Sequence, residues 1–129
     1  MKLDLGFRVT AREREAIRAG MKTYAAATKI PKLTWDEWRL IAVACAIASD
    51  HFKQSTGGQT RTPDYTKPMS EFLRVTGFDA LNKDDIAAAM RCLPAWDAID
   101  LWRATLPPVR RVKLNNPRQV LAGYQARGE

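Results

Sequence analysis

The amino-acid sequence predicts an all-α protein, a compact bundle of about five to six helices around a buried central helix at residues 34–53. Apolar residues recur with a helical period along most of the chain, and strand-like alternation is not evident after the first residues. Two Thr-x-x-Glu capping boxes, which begin at Thr10 and Thr34, mark helix starts. The length of 129 residues fits one helical domain, residues 1–129, in which residues 1–10 can be extended.

The first helix is expected over residues 11–28, because this segment is rich in Ala, Arg and Glu, which favour helix formation. Glu13 completes the capping box that begins at Thr10, and Pro31 is expected to end the helix. One apolar stripe, flanked by basic side chains, indicates an amphipathic surface helix. That stripe consists of Ile17, Met21, Tyr24 and Thr28.

The central helix is the most apolar segment of the chain and follows the capping box of Thr34 and Glu37. Apolar residues cover nearly its whole circumference, which predicts burial. Trp35 and Trp38 are expected in the core rather than on a ligand-binding surface. One predicted face holds Trp35, Trp38, Ala42, Cys45, Ser49 and Phe52, and the opposite face holds Leu40, Val43 and Ile47.

Residues 53–68 are expected to form a flexible loop, because they contain paired glycines, two prolines and few apolar residues. A loop of this length in a small domain is either mobile or functional. Gly57 and Gly58 lack the wider glycine spacing and the Lys-Ser/Thr pair of a phosphate-binding P-loop, so a plain flexible loop is favoured.

Three shorter helices are expected after this loop. The first covers residues 69–76 and ends at Gly77. Asn82 caps the second, Pro94 separates it from the third, and two prolines at residues 107–108 end the third. Their apolar faces consist of Met69, Phe72 and Leu73 in the first, Ile86, Ala89, Met90 and Leu93 in the second, and Trp96, Ile99, Trp102 and Leu106 in the third.

The tail, residues 107–125, is expected to be a lid with a basic outer face. Residues 109–114 are too few for an independent helix after two prolines, so they are expected to be extended. Asn116 as N-cap and Pro117 as first helical residue then begin a final helix over residues 117–125. The residues expected to face the core are Val109, Val112, Leu114, Val120, Leu121 and Tyr124, and those expected to face water are Arg110, Arg111, Lys113 and Arg118.

The net charge of +7 is concentrated at the two ends of the chain. Residues 1–32 contain eight Lys or Arg and three acids, residues 33–102 contain seven and ten, and residues 103–129 contain six and one. A polyanion is therefore expected to contact the two ends. The candidate residues for binding nucleic acid or another partner are Arg12, Arg14, Arg18, Lys22, Arg110, Arg111, Lys113 and Arg118.

Residues that could catalyse a reaction or bind a metal are scarce. His51, the one histidine, has no second His or Cys at ligand spacing, so no metal site is expected. The carboxylate pairs Asp84/Asp85 and Asp97/Asp100 are expected to lie in the first turns of helices and to stabilise them rather than transfer protons. The sequence therefore predicts a protein that is not an enzyme and has no cofactor and no small-molecule substrate.

Cysteine usage and hydropathy predict a cytoplasmic protein with no membrane contact. Cys45 and Cys92 lie within apolar helical patterns, as buried free thiols do in a reducing compartment. The first residues lack the apolar core of a signal peptide. The longest apolar run, residues 40–48, has about half the length needed to cross a bilayer.

The chain contains several different short motifs, which are Thr34-Trp35, Gly77-Phe78, Trp102-Arg103, Leu106-Pro107 and Leu114-Asn115-Asn116-Pro117. On these motifs, residues 33–121 resemble small, mostly uncharacterised proteins encoded on proteobacterial phages and other mobile elements. Asn116 stands where those proteins have His, and the tail lacks their second Trp. The resemblance implies an accessory protein of a mobile element and supplies no biochemical activity.

Two functions fit these features, and the first is association with nucleic acid through phosphate contacts from the basic ends. The helices expected at residues 69–76 and 82–93 do not form a recognisable helix-turn-helix, because Asp84 and Asp85 at the start of the second would repel phosphate. Contacts to the nucleic-acid backbone are therefore expected rather than sequence readout.

The second function is that of a protein-interaction module that inhibits a host defence complex, as anti-CRISPR proteins do. The net charge of +7 argues against mimicry of DNA, so the partner would be an acidic protein surface or a nucleoprotein. The loop at residues 53–68 and exposed aromatic residues would anchor such a complex.

Overall fold

A computed structural model of the chain describes residues 5–26 and 33–127. Within these ranges the chain forms seven α-helices, two 3-10 turns at Phe78–Ala80 and Leu93–Ala95, and no strand, so the all-α class is confirmed. None of the helices described is long and apolar enough to span a membrane. The helices are α1 (Ala11–Ala26), α2 (Trp35–Ser55), α3 (Pro63–Thr76), α4 (Lys83–Cys92), α5 (Trp96–Ala104), α6 (Pro108–Lys113) and α7 (Pro117–Ala126).

Both predicted capping boxes are present. The amide of Glu13 donates to Thr10 Oγ1 at 3.0 Å, and the amide of Thr10 donates to Glu13 Oε1 at 2.9 Å. Thr34 and Glu37 make the same reciprocal pair at the start of α2, at 3.2 and 2.8 Å. The starts of α1 and α2 are therefore fixed by local hydrogen bonds. The predictions for residues 1–4, Thr28 and Pro31 fall outside the described residues.

The central position of α2 is confirmed, because it packs against α1, α3 and α4. Its approach to α1 is close at Gly20, where an added Cβ would lie 2.9 Å from the carbonyl oxygen of Leu40 and 3.1 Å from the Cβ of Ala44. The helix is not buried all round, since Leu40 is 41% exposed and Ile47 is half-buried. Its buried residues are Trp35, Trp38, Ile41, Ala42, Ala44, Cys45, Ala48, Ser49 and Phe52.

The connection between α2 and α3 is shorter than the loop expected at residues 53–68, because α2 continues to Ser55 and α3 begins at Pro63. Proline is tolerated in the first turn of a helix, where its missing amide has no intrahelical partner to lose. The hydroxyl of Tyr65 lies 2.7 Å from that of Ser49 on α2, and both side chains are buried. This bond ties the beginning of α3 to the centre of the bundle.

The expectation of an extended segment at residues 109–114 is wrong, because Pro108–Lys113 form the helix α6. The predicted inward orientation of Val109 and Val112 is wrong, since these side chains are 71% and 72% exposed. The final helix, α7, follows the prediction: Asn116 caps it by accepting from the amide of Gln119 at 3.2 Å. Its core-facing residues are Val120, which is fully buried, and Leu121 and Tyr124, which are partly buried against the core. In this position α7 covers α4.

Candidate functional site

The predicted basic residues of α1 are Arg12, Arg14, Arg18 and Lys22, and the last three form a stripe along one side of the helix. Arg14, Arg18 and Lys22 follow one another at intervals of four residues, which places them on one side of the helix with a rise of about 6 Å between neighbours. Arg12, Arg18 and Lys22 are exposed, and Arg14 is half-buried. Among the described residues, no carboxylate forms an ion pair with Arg12, Arg18 or Lys22.

The predicted basic residues of the tail divide into two groups. Arg110 and Lys113 are exposed and Arg111 is half-buried, and none of the three has an ion-pair partner within the described ranges. Arg118 differs, because its Nε donates to Asp85 Oδ1 at 2.6 Å. Arg118 is exposed, as expected, and this contact also joins α7 to α4.

The two basic sets lie at different levels along α2. Glu13, next to Arg12, contacts His51 near the end of α2, whereas Asn115, just after α6, contacts Trp35 at its start. These two contact points are 16 residues apart on α2, which corresponds to about 24 Å. Because α1 runs antiparallel to α2, the stripe of Arg14, Arg18 and Lys22 extends from the His51 end of α2 toward its start, near which α6 lies.

The helix α6 owes its position to Arg103 on α5. One terminal nitrogen of Arg103 donates to the carbonyl oxygens of Arg111 at 3.2 Å and Leu114 at 2.9 Å, and to Asn115 Oδ1 at 3.3 Å. Desolvation lowers the pKa of Arg103, although the carboxylates of Asp100 and Asp36 oppose this shift. Arg103 is not among the residues predicted to bind a partner, and its only signal in the sequence is its place in the Trp102-Arg103 motif.

Asn115 joins three segments of the chain. Its Oδ1 also accepts from the backbone amide of Trp35 at 3.1 Å, and its Nδ2 donates to the carbonyl of Val112 at 2.7 Å. The indole Nε1 of Trp35 donates to Asp100 Oδ1 at 2.9 Å. The start of α2, helix α5 and the end of α6 are thereby bonded to one another around a buried tryptophan.

Two tryptophans and two arginines are layered at the same place. The rings of Trp35 and Trp96 are stacked, with centroids 3.9 Å apart and planes 10° apart. The guanidinium of Arg103 lies 5.5 Å from the ring of Trp35, and that of Arg39 lies 5.9 Å from the ring of Trp96. Such layers combine ring stacking with cation–π attraction. The expectation that Trp35 belongs to the core is confirmed, since it is 1% exposed.

The carboxylates predicted only to stabilise helix starts have more specific partners. Asp85 is 13% exposed at its side chain and accepts from Asn116 Nδ2 at 3.1 Å as well as from Arg118. Asp100 lies beyond the first turn of α5 and binds the indole of Trp35. Asp97 does lie in that first turn, and it pairs with Arg39 at 3.5 Å across the surface.

His51 and the cysteines lie in different surroundings. His51 Nε2 is 3.3 Å from Glu13 Oε2, and its ring is 5.0 Å from that of Phe7. A hydrogen bond from the Thr10 amide is the largest cause that lowers the pKa of Glu13. Burial raises the pKa of Cys45 to about 12 and that of Cys92 to about 11. No group of three or more metal-binding side chains occurs in the part of the chain that the structure describes.

The exposed apolar surface is aliphatic, contrary to the expectation of exposed aromatic residues. All the Trp, Tyr and Phe residues of the chain lie within the described ranges, and none of them is exposed. The exposed large apolar residues are Leu40, Leu101, Val109 and Val112. A cavity of about 670 Å³ opens beside the last of these; its lining consists of Leu33, Trp38, Leu81, Asp85, Val112, Lys113, Asn115 and Asn116.

No family model, curated protein or solved structure matches this chain. The resemblance to proteins of mobile elements stays a prediction. Several residues of its motifs have structural roles here: Trp35, Arg103 and Asn115 bond to one another, and Asn116 caps α7. In this chain, these motif residues hold the tail against α2 and α5.

Proposed function

We propose that this is a small, non-enzymatic, basic protein of a phage or other mobile element that associates with nucleic acid in the cytoplasm through phosphate contacts. One observation carries the proposal. Of the eight predicted binding residues, six have no carboxylate partner among the described residues. These six cations are Arg12, Arg18, Lys22, Arg110, Arg111 and Lys113.

The carboxylates of the central segment support this reading, because many of them are already engaged. Asp85 binds Arg118, Asp100 binds Trp35, and Asp97 pairs with Arg39. Glu37 accepts from the cap of α2, and Glu71 pairs with Arg74 on α3. Within the described residues, the six cations named above therefore have no carboxylate partner, which favours an external polyanion.

The geometry favours duplex over single-stranded nucleic acid. Single-strand binders stack bases on exposed aromatic rings, and every aromatic residue here is at least half-buried. The two basic sets are spread over about 24 Å along α2, which corresponds to about seven base pairs of a duplex. Sequence readout by α4 is disfavoured, since Asp84 is exposed in its first turn.

The test is the salt dependence of binding to a 20-base-pair DNA duplex, the equivalent RNA duplex and a single strand. Two variants each replace three cations by Gln: Arg12, Arg18 and Lys22 in one, and Arg110, Arg111 and Lys113 in the other. We expect each to weaken duplex binding for all sequences and to reduce the slope of log K against log salt by up to about 3.

The matched control replaces three exposed cations outside both sets, Arg61, Lys67 and Arg91, by Gln. This control variant changes the net charge by the same amount as the other two variants. If the phosphate-binding surface is specific, the control should lose much less affinity for the duplex than they do. Equal losses would reduce the proposal to non-specific charge. Absence of binding to any nucleic acid at low salt would end it.

A second function, a protein-interaction module that inhibits a host defence complex, is proposed on a different observation. Leu101, Val109 and Val112 are exposed aliphatic residues, which phosphate contacts do not explain. Purification from a proteobacterial lysate with and without nuclease separates the two functions. A stoichiometric protein partner that survives nuclease supports the second function, and a partner lost with the nucleic acid supports the first.

A further inference from the structure

An apolar strip lies along one side of α6. Its members, Val109 and Val112, are 71% and 72% exposed, and the other exposed large apolar residues of the described chain are Leu101 on α5 and Leu40 on α2. Val109 and Val112 are three residues apart on α6, which places them on the same side of that helix. Concentration of exposed aliphatic residues in one place is typical of an interaction site.

The strip adjoins a cavity beside α6, so the surface there is concave rather than flat. Val112 and Lys113 line it on the α6 side, and Leu33, Trp38 and Leu81 provide an apolar lining opposite polar groups. Its volume of about 670 Å³ is within the range of ligand-binding pockets. It therefore has room for a large apolar side chain, and such a buried side chain is what usually anchors a protein–protein interface.

The charge around the strip indicates the chemistry of the partner. Arg110, Arg111 and Lys113 on α6 have no ion-pair partner among the described residues, and Asp85, the one carboxylate in the cavity lining, is already paired with Arg118. A second copy of this chain would bring like charges together at the contact, which is unfavourable. A phosphate backbone would contact the cations but would leave Val109 and Val112 exposed to water. An anionic membrane is disfavoured because two aliphatic side chains bury little apolar area.

We infer that the strip and the cavity dock an acidic, amphipathic segment of another protein. The segment inserts one apolar side chain into the cavity beside Val112, packs against Val109, and places carboxylates against Arg110 and Lys113. The inference rests on the second function proposed above, because it needs a protein partner. It does not depend on phosphate contacts by α1.

The test uses three synthetic helical peptides of equal length: one with Leu and Glu in an amphipathic pattern, one with the same residues scrambled, and one with Lys in place of Glu. Binding to the full chain is measured by fluorescence anisotropy and mapped by NMR. We expect the acidic amphipathic peptide to bind at least tenfold more tightly than the other two. It should shift the amide resonances of residues 109–113 and of Leu33 and Leu81.

The informative variant is Val109→Ser with Val112→Ser, which alters side chains that are mainly in water and so preserves the fold. We expect it to bind the acidic peptide at least tenfold more weakly, while duplex affinity stays within twofold of the parent. The control is Leu40→Ser, an exposed aliphatic outside the strip, which should bind the peptide as the parent does. The α1 variant at Arg12, Arg18 and Lys22 should also keep its peptide affinity, so this inference and phosphate binding can fail separately.

Four results would overturn the inference. The first is that no acidic peptide binds at millimolar concentration, and the second is that the peptide binds the Val109/Val112 variant as tightly as the parent. The third is self-association of the parent that this variant abolishes, which would make the occupant a second copy. The fourth is that the parent binds phosphatidylglycerol vesicles, that the Val109/Val112 variant does not, and that neither binds the peptides. This result would make the occupant a membrane.

Discussion

The backbone amide of Trp35 donates a hydrogen bond of 3.1 Å to Oδ1 of Asn115, a residue 80 positions later in the chain. The bond joins the first residue of α2 to the segment between α6 and α7. Because Asn115 also binds the carbonyl of Val112 and the guanidinium of Arg103, one amide side chain holds the tail against the central helix.

Replacement of Asn115 by Ala should reduce the free energy of unfolding by about 1–3 kcal/mol, because it leaves the partly buried backbone amide of Trp35 without its acceptor and removes one of the three acceptors of Arg103. Denaturant unfolding followed by far-UV circular dichroism measures this. The matched control is Gln119→Ala, an exposed residue on α7, which should change stability by less than about 0.5 kcal/mol. Equal stability of the two variants would mean that Asn115 does not hold the tail.

An Asp in place of Ala42 should destabilise the protein severely, since Ala42 is fully buried in α2 and an unpaired charge there costs several kcal/mol. Leu40→Asp, two residues away and partly exposed, should cost about 1 kcal/mol or less. Thermal unfolding of both variants checks the difference. A stable Ala42→Asp protein would place this face of α2 at the surface.

Gly20→Ala should destabilise the protein although Ala favours helix by about 1 kcal/mol. The new methyl group would lie 2.9 Å from the Leu40 carbonyl oxygen, which belongs to the backbone of α2 and cannot rotate away. A net loss of about 1–3 kcal/mol in unfolding free energy is expected from this overpacking. Stabilisation by this substitution would show that α1 and α2 are farther apart at this point.

Neither thiol should react with a thiol reagent in the native state at pH 8, and both should react in denaturant. Burial raises the pKa of Cys45 to about 12 and that of Cys92 to about 11, so the native thiolate fraction at pH 8 is about one in a thousand or less. Rapid labelling of either cysteine at the rate of a free thiol would contradict its burial.

The same pKa shifts predict a pH dependence of stability. Above pH 9 the unfolded chain loses its thiol protons while the native protein keeps them, so unfolding becomes more favourable as pH rises toward 11. The expected slope is about 1.4 kcal/mol per pH unit for each thiol. The Cys45→Ala/Cys92→Ala double variant should show a flatter dependence over this window, measured by denaturant unfolding at pH 8 to 11.

Arg118→Gln should cost about 1 kcal/mol of stability, unlike the other basic residues of the tail. The substitution removes a partner from Asp85, whose carboxylate is only 13% exposed, and this lowers stability. The loss is small because Arg118 itself is 53% exposed and Asn116 continues to bind Asp85. Arg110→Gln is the control and should be neutral, because that side chain is exposed and has no ion-pair partner in the described ranges. Thermal unfolding of the two variants measures the difference.

Features that depend on neighbouring residues were predictable from the sequence. The capping boxes of Thr10 and Thr34 and the Asn116 cap involve residues at most three positions apart, so the sequence contains all that is needed to recognise them. The core face of α2 could also be predicted, because a helical period places Ala42 and Cys45 on the same side of the helix.

Features that depend on distant residues were not predictable. The proline pair and the short length of residues 108–113 indicated an extended segment, but Arg103 stabilises a helix there by binding carbonyls at its end. Likewise, Pro63 and Pro68 indicated a loop, while the bond between Tyr65 and Ser49 holds that stretch on α2 as helix. In the candidate site, the pairing of Arg118 with Asp85 separates it from cations that look identical in sequence.

The buried position of Val120 has a consequence for biosynthesis. Its fully buried side chain belongs to a core that includes residues as early in the chain as Leu5, and Asn115 and Arg118 bond the same tail to α2 and α4. On a ribosome, helices α1 to α5 emerge before these last partners exist, and contacts between distant residues form late. The nascent chain therefore keeps the side of α4 that packs on α7 uncovered until the segment around Val120 has emerged, and during that interval it is a substrate for chaperones and proteases.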